Sequence, residues 1–220
     1  ASARRCARVL FVSHDSAAWI GQAMGVPPER RAVVHHGIDL ANFRARREAR
    51  AARPCGILSV SSIYRYKNFV RLIEAYGRLA SRLPQRSLPE LNIVGDDQDA
   101  PYSKQMRRAI ADSGPLASRI HLQGAVPYAE VPAWYAGADL FVFPSYLETF
   151  GHPLLEAMAS RLPLVAADIP VFREIAGEAA IYADPFDVEA LAAALGRGLE
   201  AGPAREQRIA AGCERVERFS

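Results

Sequence analysis

The segment Ser145–Met158 reads SYLETFGHPLLEAM and follows the apolar run DLFVFP at 139–144. It sets two carboxylates, Glu148 and Glu156, on either side of Gly151 in otherwise apolar or small surroundings. A surface helix would space its charges along one polar face instead. Glycine allows a tight turn and lets a ligand approach where a Cβ would obstruct it. Pro153 suits the first turn of a helix, where a missing N–H costs nothing. The amides around Phe150, Gly151 and His152 then fall at a helix N-terminus, whose free donors and partial positive charge suit phosphate or sugar oxygens. Glu148 lies in the loop and Glu156 about one turn inside the helix. The two acids can therefore serve different parts of one elongated ligand. Two other readings stand at this point. Glu148 could cap the helix with Glu156 a solvated first-turn acid, or the pair could be the two acids of a glycosidase.

Charges also follow two other apolar runs. After GILSVSS comes IYRYKN, with Arg65 and Lys67, and after ELNIVG comes DDQD, with Asp96, Asp97 and Asp99. A cation at a strand end suits a phosphate and favours a phosphorylated ligand over a hydrolase pair. The aspartates could bind a divalent metal or form a solvated loop.

The elements that must hold these residues alternate along the chain. Strand-like runs at 9–13, 32–37, 56–62, 90–95, 119–124, 139–145, 162–168 and 180–184 are separated for the most part by helical patterns. Val70, Ile73, Leu79 and Leu83 recur at near-helical spacing in the stretch 68–83. Continuous apolar strands alternating with helices predict an α/β fold, a doubly wound parallel sheet covered on both faces with right-handed crossovers. The expected organisation is a residual unit at 1–44, a basic linker at 45–54 (ARREARAARP lies over 45–54) and a Rossmann-like domain at 55–220. Ligands of such open sheets bind beyond the carboxyl ends of the strands, where the charges above lie.

Bulk properties narrow the class. The 220 residues are half hydrophobic with a formal net charge of only +3, which argues against a dedicated nucleic-acid binder. Three scattered cysteines, Cys6, Cys55 and Cys213, show no metal-ligand spacing and read as reduced thiols of a cytosolic protein. No apolar run approaches the ~20 residues of a membrane span, no leader pattern is seen, and the opening Ala1 reads as that of a fragment or processed chain.

In context, ETFGHPLLE resembles the E-x7-E signature of retaining glycosyltransferases with the GT-B fold, family four in the sequence classification, also called glycosyl transferase group 1. The flanking LFVFPSYLETFGHPLLEAMASRLPLVAADIPVFREI resembles the family's order of strand, acidic Phe-Gly loop, helix and following strand. VVHHGIDLANF is similar to its interdomain segment, and ILSVSSIYRYKN to its phosphate-binding strand and loop. GT-B enzymes face two Rossmann-like domains across a cleft, so the resemblance implies the donor half with the last piece of the acceptor half.

Roles carry over residue by residue. Lys67 matches the lysine on the donor diphosphate, and Glu148 the first glutamate, near the donor sugar. Phe150 and Gly151 match positions whose amides face that sugar. Glu156 matches the acid that accepts hydrogen bonds from both ribose hydroxyls. Leu155 is expected beside the ribose and phosphates, and the Gly124–Val126 turn beside the base. His152 is a candidate phosphate donor, with a satisfied or exposed loop histidine as the other reading. His14, His35, His36 and His121 carry no such signal. The family's arginine five residues before the lysine is Ser62 here, and Arg65 is the candidate substitute.

The resemblance thus implies a retaining hexosyltransferase of carbohydrate biosynthesis. It would use a UDP- or GDP-linked sugar, no cofactor and no metal, with a sugar, polysaccharide or lipid-linked acceptor and no nucleic acid. The protein is expected to be cytoplasmic; the linker arginines read as a solvated hinge, with peripheral contact at the inner face of a membrane as the alternative. Alternatives are a nucleotide-sugar-binding module without catalysis and a GT-B nucleotide-sugar epimerase.

Overall fold

The apolar runs after residue 55 become six parallel strands, and their order explains where the charges converge. In the computed structural model, which describes residues 6–48 and 56–220, a first unit comes before them. It consists of β1 (Val9–Phe11), α1 (His14–Ala23) and β2 (Arg31–Val33), the strands pairing in parallel. Helix α2 (Leu40–Glu48) follows. Residues 45–48, expected to open the linker, are its last turn. Residues 49–54, including the rest of the arginine run, lie outside the described residues.

The larger unit runs β3 (Gly56–Val60), α3 (Phe69–Ala80), β4 (Leu91–Val94), α4 (Ala100–Asp112), β5 (Ile120–Gly124), α5 (Val131–Gly137) and β6 (Ala138–Phe143). It continues through α6 (His152–Ala159), β7 (Leu164–Ala167), α7 (Pro170–Ala176), β8 (Ala180–Ala183), α8 (Val188–Leu199) and α9 (Pro203–Val216). The strand order is β5-β4-β3-β6-β7-β8, all parallel. From β3 the chain winds outward one way and from β6 the other. The carboxyl ends of β3 and β6 therefore flank a crevice at the point where the winding reverses.

Successive strand residues alternate between two cores. Leu58, Phe141, Phe143, Leu164 and Ala166 face α5, α6, α7 and α9. Ile57, Leu140, Val142, Val165 and Ile181 face α3, α4 and α8. Burial on both faces is why the strands read as unbroken apolar runs. In α3 the buried stripe is Phe69, Leu72, Ile73, Tyr76 and Leu79, whereas Val70 and Leu83 are only partly buried. The sequence reading passed over α7, a seven-residue helix started by Pro170 at its first turn and stopped at Gly177. It is too short for a periodic pattern to show.

Two close approaches fix the loops at the crevice. Ser61 N–H donates to Val94 O (2.9 Å) and Gly95 N–H to Gly124 O (2.9 Å), stacking the ends of β3, β4 and β5. A Cβ on Gly95 would sit 1.9 Å from Ser61 O, so no larger residue fits without moving the loop after β3. Gly95→Ala is expected to cost about 2–3 kcal/mol of folding stability by overpacking against backbone. Urea denaturation showing an unchanged midpoint would contradict this close contact.

Candidate functional site

The loops after β3 and β6 are tied to each other. The Tyr66 carbonyl accepts from Tyr146 N–H (3.0 Å) and from Ser145 Oγ (3.1 Å). Asn68, buried and in the left-handed conformation (φ 66°), donates from Nδ2 to the carbonyls of Pro144 (3.1 Å) and Pro185 (2.6 Å). Asparagine tolerates that backbone better than most residues. Its side chain thus holds the start of α3 against the end of β6. The result is a short turn, Arg65–Lys67, pressed against the loop 144–151.

Lys67 and Glu148 meet across this seam. Lys67 Nζ lies 2.5 Å from Glu148 Oε1, and the side chains are only 10% and 13% exposed. The ammonium also sits over the rings of Tyr66 (5.0 Å) and Phe143 (5.3 Å), which adds cation–π attraction. Arg65 has a different partner. It is exposed, with its guanidinium 5.8 Å from the centre of the Tyr102 ring. Ser62 is exposed as well.

Gly151 precedes α6 with φ 106°, in the region that favours glycine, and a Cβ there would press on Phe172 Cε1 at 3.0 Å. The first turn of α6 holds Pro153, and its opening amides point out of the helix start, as in any helix N-terminus. Phe150 is buried, its ring edge-on to His36 (5.1 Å) and His152 (5.2 Å). His152 is exposed, its imidazole pKa lowered by partial burial and by His36, so the neutral form prevails at neutral pH.

Glu156 is the most unusual of the predicted residues. It is 8% exposed and receives a hydrogen bond from Tyr135 Oη (2.8 Å). Burial raises its pKa, and the tyrosine bond offsets only part of that rise. A solvated first-turn acid would not be in this state. Leu155 is fully buried in the core, so its side chain is packing. Val126 is partly buried against the same core. The aspartates after β4 work locally. Asp99 caps α4 at Tyr102 N–H (3.1 Å), Asp97 accepts from Ser103 Oγ (2.5 Å), and Asp96 accepts from Gln98 Nε2.

The structure thus brings Lys67 and Glu148 into contact and puts Gly151 and Glu156 on the adjoining loop and helix, while Arg65 contacts Tyr102. Sequence reasoning missed the supports. These are Asn68, Tyr135, and Ser13, whose buried hydroxyl donates to Thr149 O (2.7 Å) from the first unit. Asparagine just ahead of the apolar-periodic stretch 69–80 was a legible helix-start signal for Asn68. Ser13, the N-cap of α1, carried the same kind of helix-start signal, whereas nothing local marks Tyr135. Chemically, the arrangement offers a cation paired with an acid at the seam, a set of helix-start amides, and a second, buried acid in α6.

The chain belongs to the group 1 glycosyl transferases, whose family model matches residues 44–215. Among curated proteins it is similar to the MMP alpha-(1->4)-mannosyltransferase of Mycolicibacterium hassiacum, at 32% identity over 90% of this chain and 46% of that protein. It is also similar to the O-antigen chain mannosyltransferase RfbU of Salmonella typhimurium, at 28% identity over 84% of this chain and 49% of that protein. The chain spans half or less of the length of these relatives. Its backbone superposes on the Anabaena protein HepE, crystallised with UDP and glucose, with a TM-score of 0.84 over 99% of this chain and 60% of that one at 22% identity. The six-stranded body has the Rossmann-like fold of GT-B glycosyltransferases. No helix among the described residues is long and apolar enough to cross a membrane.

Two stability measurements probe the site. Removing either partner of the buried pair leaves the other charge stranded, so Lys67→Ala or Glu148→Ala is expected to cost about 3 kcal/mol in chemical denaturation. The double variant Lys67→Met/Glu148→Leu should lose much less than the sum, and additive losses would mean the charges are not coupled. For Glu156 the folded pKa lies above the unfolded one, so the folded state holds the extra proton between them. Stability must then fall as pH rises through that window above the ordinary carboxylate range. Glu156→Gln should abolish this part of the pH dependence and be at least as stable at neutral pH, read as Tm against pH.

Proposed function

We propose that this chain forms the donor-binding half of a retaining glycosyltransferase that transfers a hexose from a nucleoside-diphosphate sugar to an acceptor hydroxyl. The observation that carries the reading is the Lys67–Glu148 contact across the β3/β6 crevice, with Glu156 buried one turn into the helix that follows. A cation at that seam suits the diphosphate, and the amides at the start of α6 suit the sugar and phosphate oxygens. Glu156, accepting from Tyr135, keeps acceptor capacity for the vicinal ribose hydroxyls when ionised. The Gly124–Val126 turn is the proposed place of the base. Two similar proteins named mannosyltransferases support a hexose, and a neighbouring fold crystallised with UDP and glucose supports a nucleotide-sugar donor.

In the proposed reaction the bond between the anomeric carbon and the diphosphate oxygen breaks. The acceptor oxygen bonds to the same face of that carbon, and the leaving diphosphate takes the acceptor's proton. Lys67 balances the charge that grows on the diphosphate, and Glu148 and the Gly151 turn orient the sugar and its developing positive charge. A binding module without catalysis is the second reading, because the chain covers half or less of its curated relatives.

Calorimetry with UDP, GDP and ADP, together with a transfer assay on a protein carrying the acceptor half, separates the two readings. One nucleoside diphosphate should bind, and Glu156→Gln should weaken it about 10- to 100-fold by loss of charge-assisted hydrogen bonds. Glu148→Gln should keep that binding and lower transfer by at least about 100-fold. Binding without any transfer would leave a module, and no binding to any of the three would overturn the donor site.

A further inference from the structure

The proposed donor site leaves unused a group of side chains at the joint between the first unit and the six-stranded body. His14 opens α1, His35 follows β2, and Glu174 lies in α7. One ligating atom from each lies within 4.8 Å of the others, the one such group of three among the described residues. His35 Nε2 is 3.0 Å from Glu174 Oε1. The two imidazoles meet edge to face, with centroids 5.9 Å apart and planes at 78°, so they do not stack face to face.

Two of these donors are held by other contacts. Glu174 accepts from the backbone amides of His14 (2.7 Å) and Asp15 (3.0 Å). Burial would push its pKa up, but those amides and His35 more than offset this and hold it below the ordinary value, so it is ionised at neutral pH. The His35 ring is backed by Phe219 (5.3 Å) and Phe150 (6.0 Å). His14 and His35 both reach the surface at the rim, the His35 side chain being 33% exposed, while Glu174 is half-buried. Two imidazoles and a carboxylate form a donor set suited to a borderline divalent cation, with a fourth position left for water.

We propose that His14, His35 and Glu174 bind one divalent transition-metal ion, zinc fitting the donor set best, and that the ion fastens the first unit to α7. On binding, the His35–Glu174 hydrogen bond is exchanged for two coordinate bonds, and any proton on His35 Nε2 leaves to solvent. Glu174 Oε2 keeps the Asp15 amide. The ion is separate from Lys67, Glu148 and Glu156, takes no part in the transfer step, and is tested independently of it.

The chelator-treated chain is titrated with Zn2+ and, separately, with Mg2+ by calorimetry. One equivalent of Zn2+ should bind, and Mg2+ should not. His14→Ala and His35→Ala should each weaken Zn2+ by at least about tenfold, the scale on which lost metal-site contacts register. His36→Ala and Cys6→Ser should leave it unchanged. Co2+ loaded into the wild-type chain should give the absorption of a four-coordinate nitrogen–oxygen site, which serves as the readout if a variant fails to fold. The proposal is overturned if no stoichiometric Zn2+ binds, if Mg2+ binds equally, if Co2+ shows six-coordinate absorption, or if uptake survives both histidine variants or is lost with His36 or Cys6.

Discussion

The crevice depends on one carbonyl. Tyr66 O receives both Tyr146 N–H and Ser145 Oγ, and so joins the loop after β3 to the loop after β6. Loops at strand ends ordinarily wander, and fixing each residue costs roughly 1–2 kcal/mol of backbone entropy. Here that cost is offset because each loop supplies the hydrogen-bond partners of the other. Asn68 reinforces the seam from the next residue but one, holding Pro144 and Pro185 while starting α3. The Lys67–Glu148 contact follows from this seam. Neither side chain could be buried with its charge unless the other arrived at the same place.

The second dependence runs through Glu156. A carboxylate with 8% exposure is held at the edge of the core by a tyrosine that is itself fully buried. Tyr135 in turn packs edge-on against Phe43 of α2 (5.7 Å) and beside Phe141 of β6 (5.2 Å). The orientation of the acid is therefore set by residues from the consecutive elements α5 and β6 and from α2, which lies far from them in sequence. Such burial disfavours the ionised acid and sharpens its position, a combination common where a group's role is recognition.

Much of the sheet could be read directly because its strands are buried on both faces and so appear as unbroken apolar runs. The E-x7-E spacing was legible for the same reason, since two acids stand out in an apolar stretch. What escaped the sequence reading depends on tertiary contact. Helix α7 is seven residues long and shows no periodic pattern. The stripe of α3 came out shifted, because Phe69 and Tyr76 pack inward while Val70 turns partly to the surface. Arg65 and Lys67 look equivalent in IYRYKN, yet a one-turn 3-10 helix sends one to Tyr102 and the other to Glu148. The histidines looked inert because three separate segments bring them together.

The backbone contact between Ile38 and Phe219 has a mechanical meaning. Ile38 N–H donates to Phe219 O (2.9 Å), so the polypeptide that enters the larger unit after Ile38 comes back to the same point near its last helix. Two strands of chain crossing side by side act as a pivot. Were the six-stranded body to turn about that point, the lever arm would be longest at contacts away from it. Along that arm lie the Ser13–Thr149 bond and the amides of His14 and Asp15 on Glu174. Those three bonds and the His35–Glu174 hydrogen bond would together resist such a rotation, so the angle between the units would depend on whatever strengthens or loosens them.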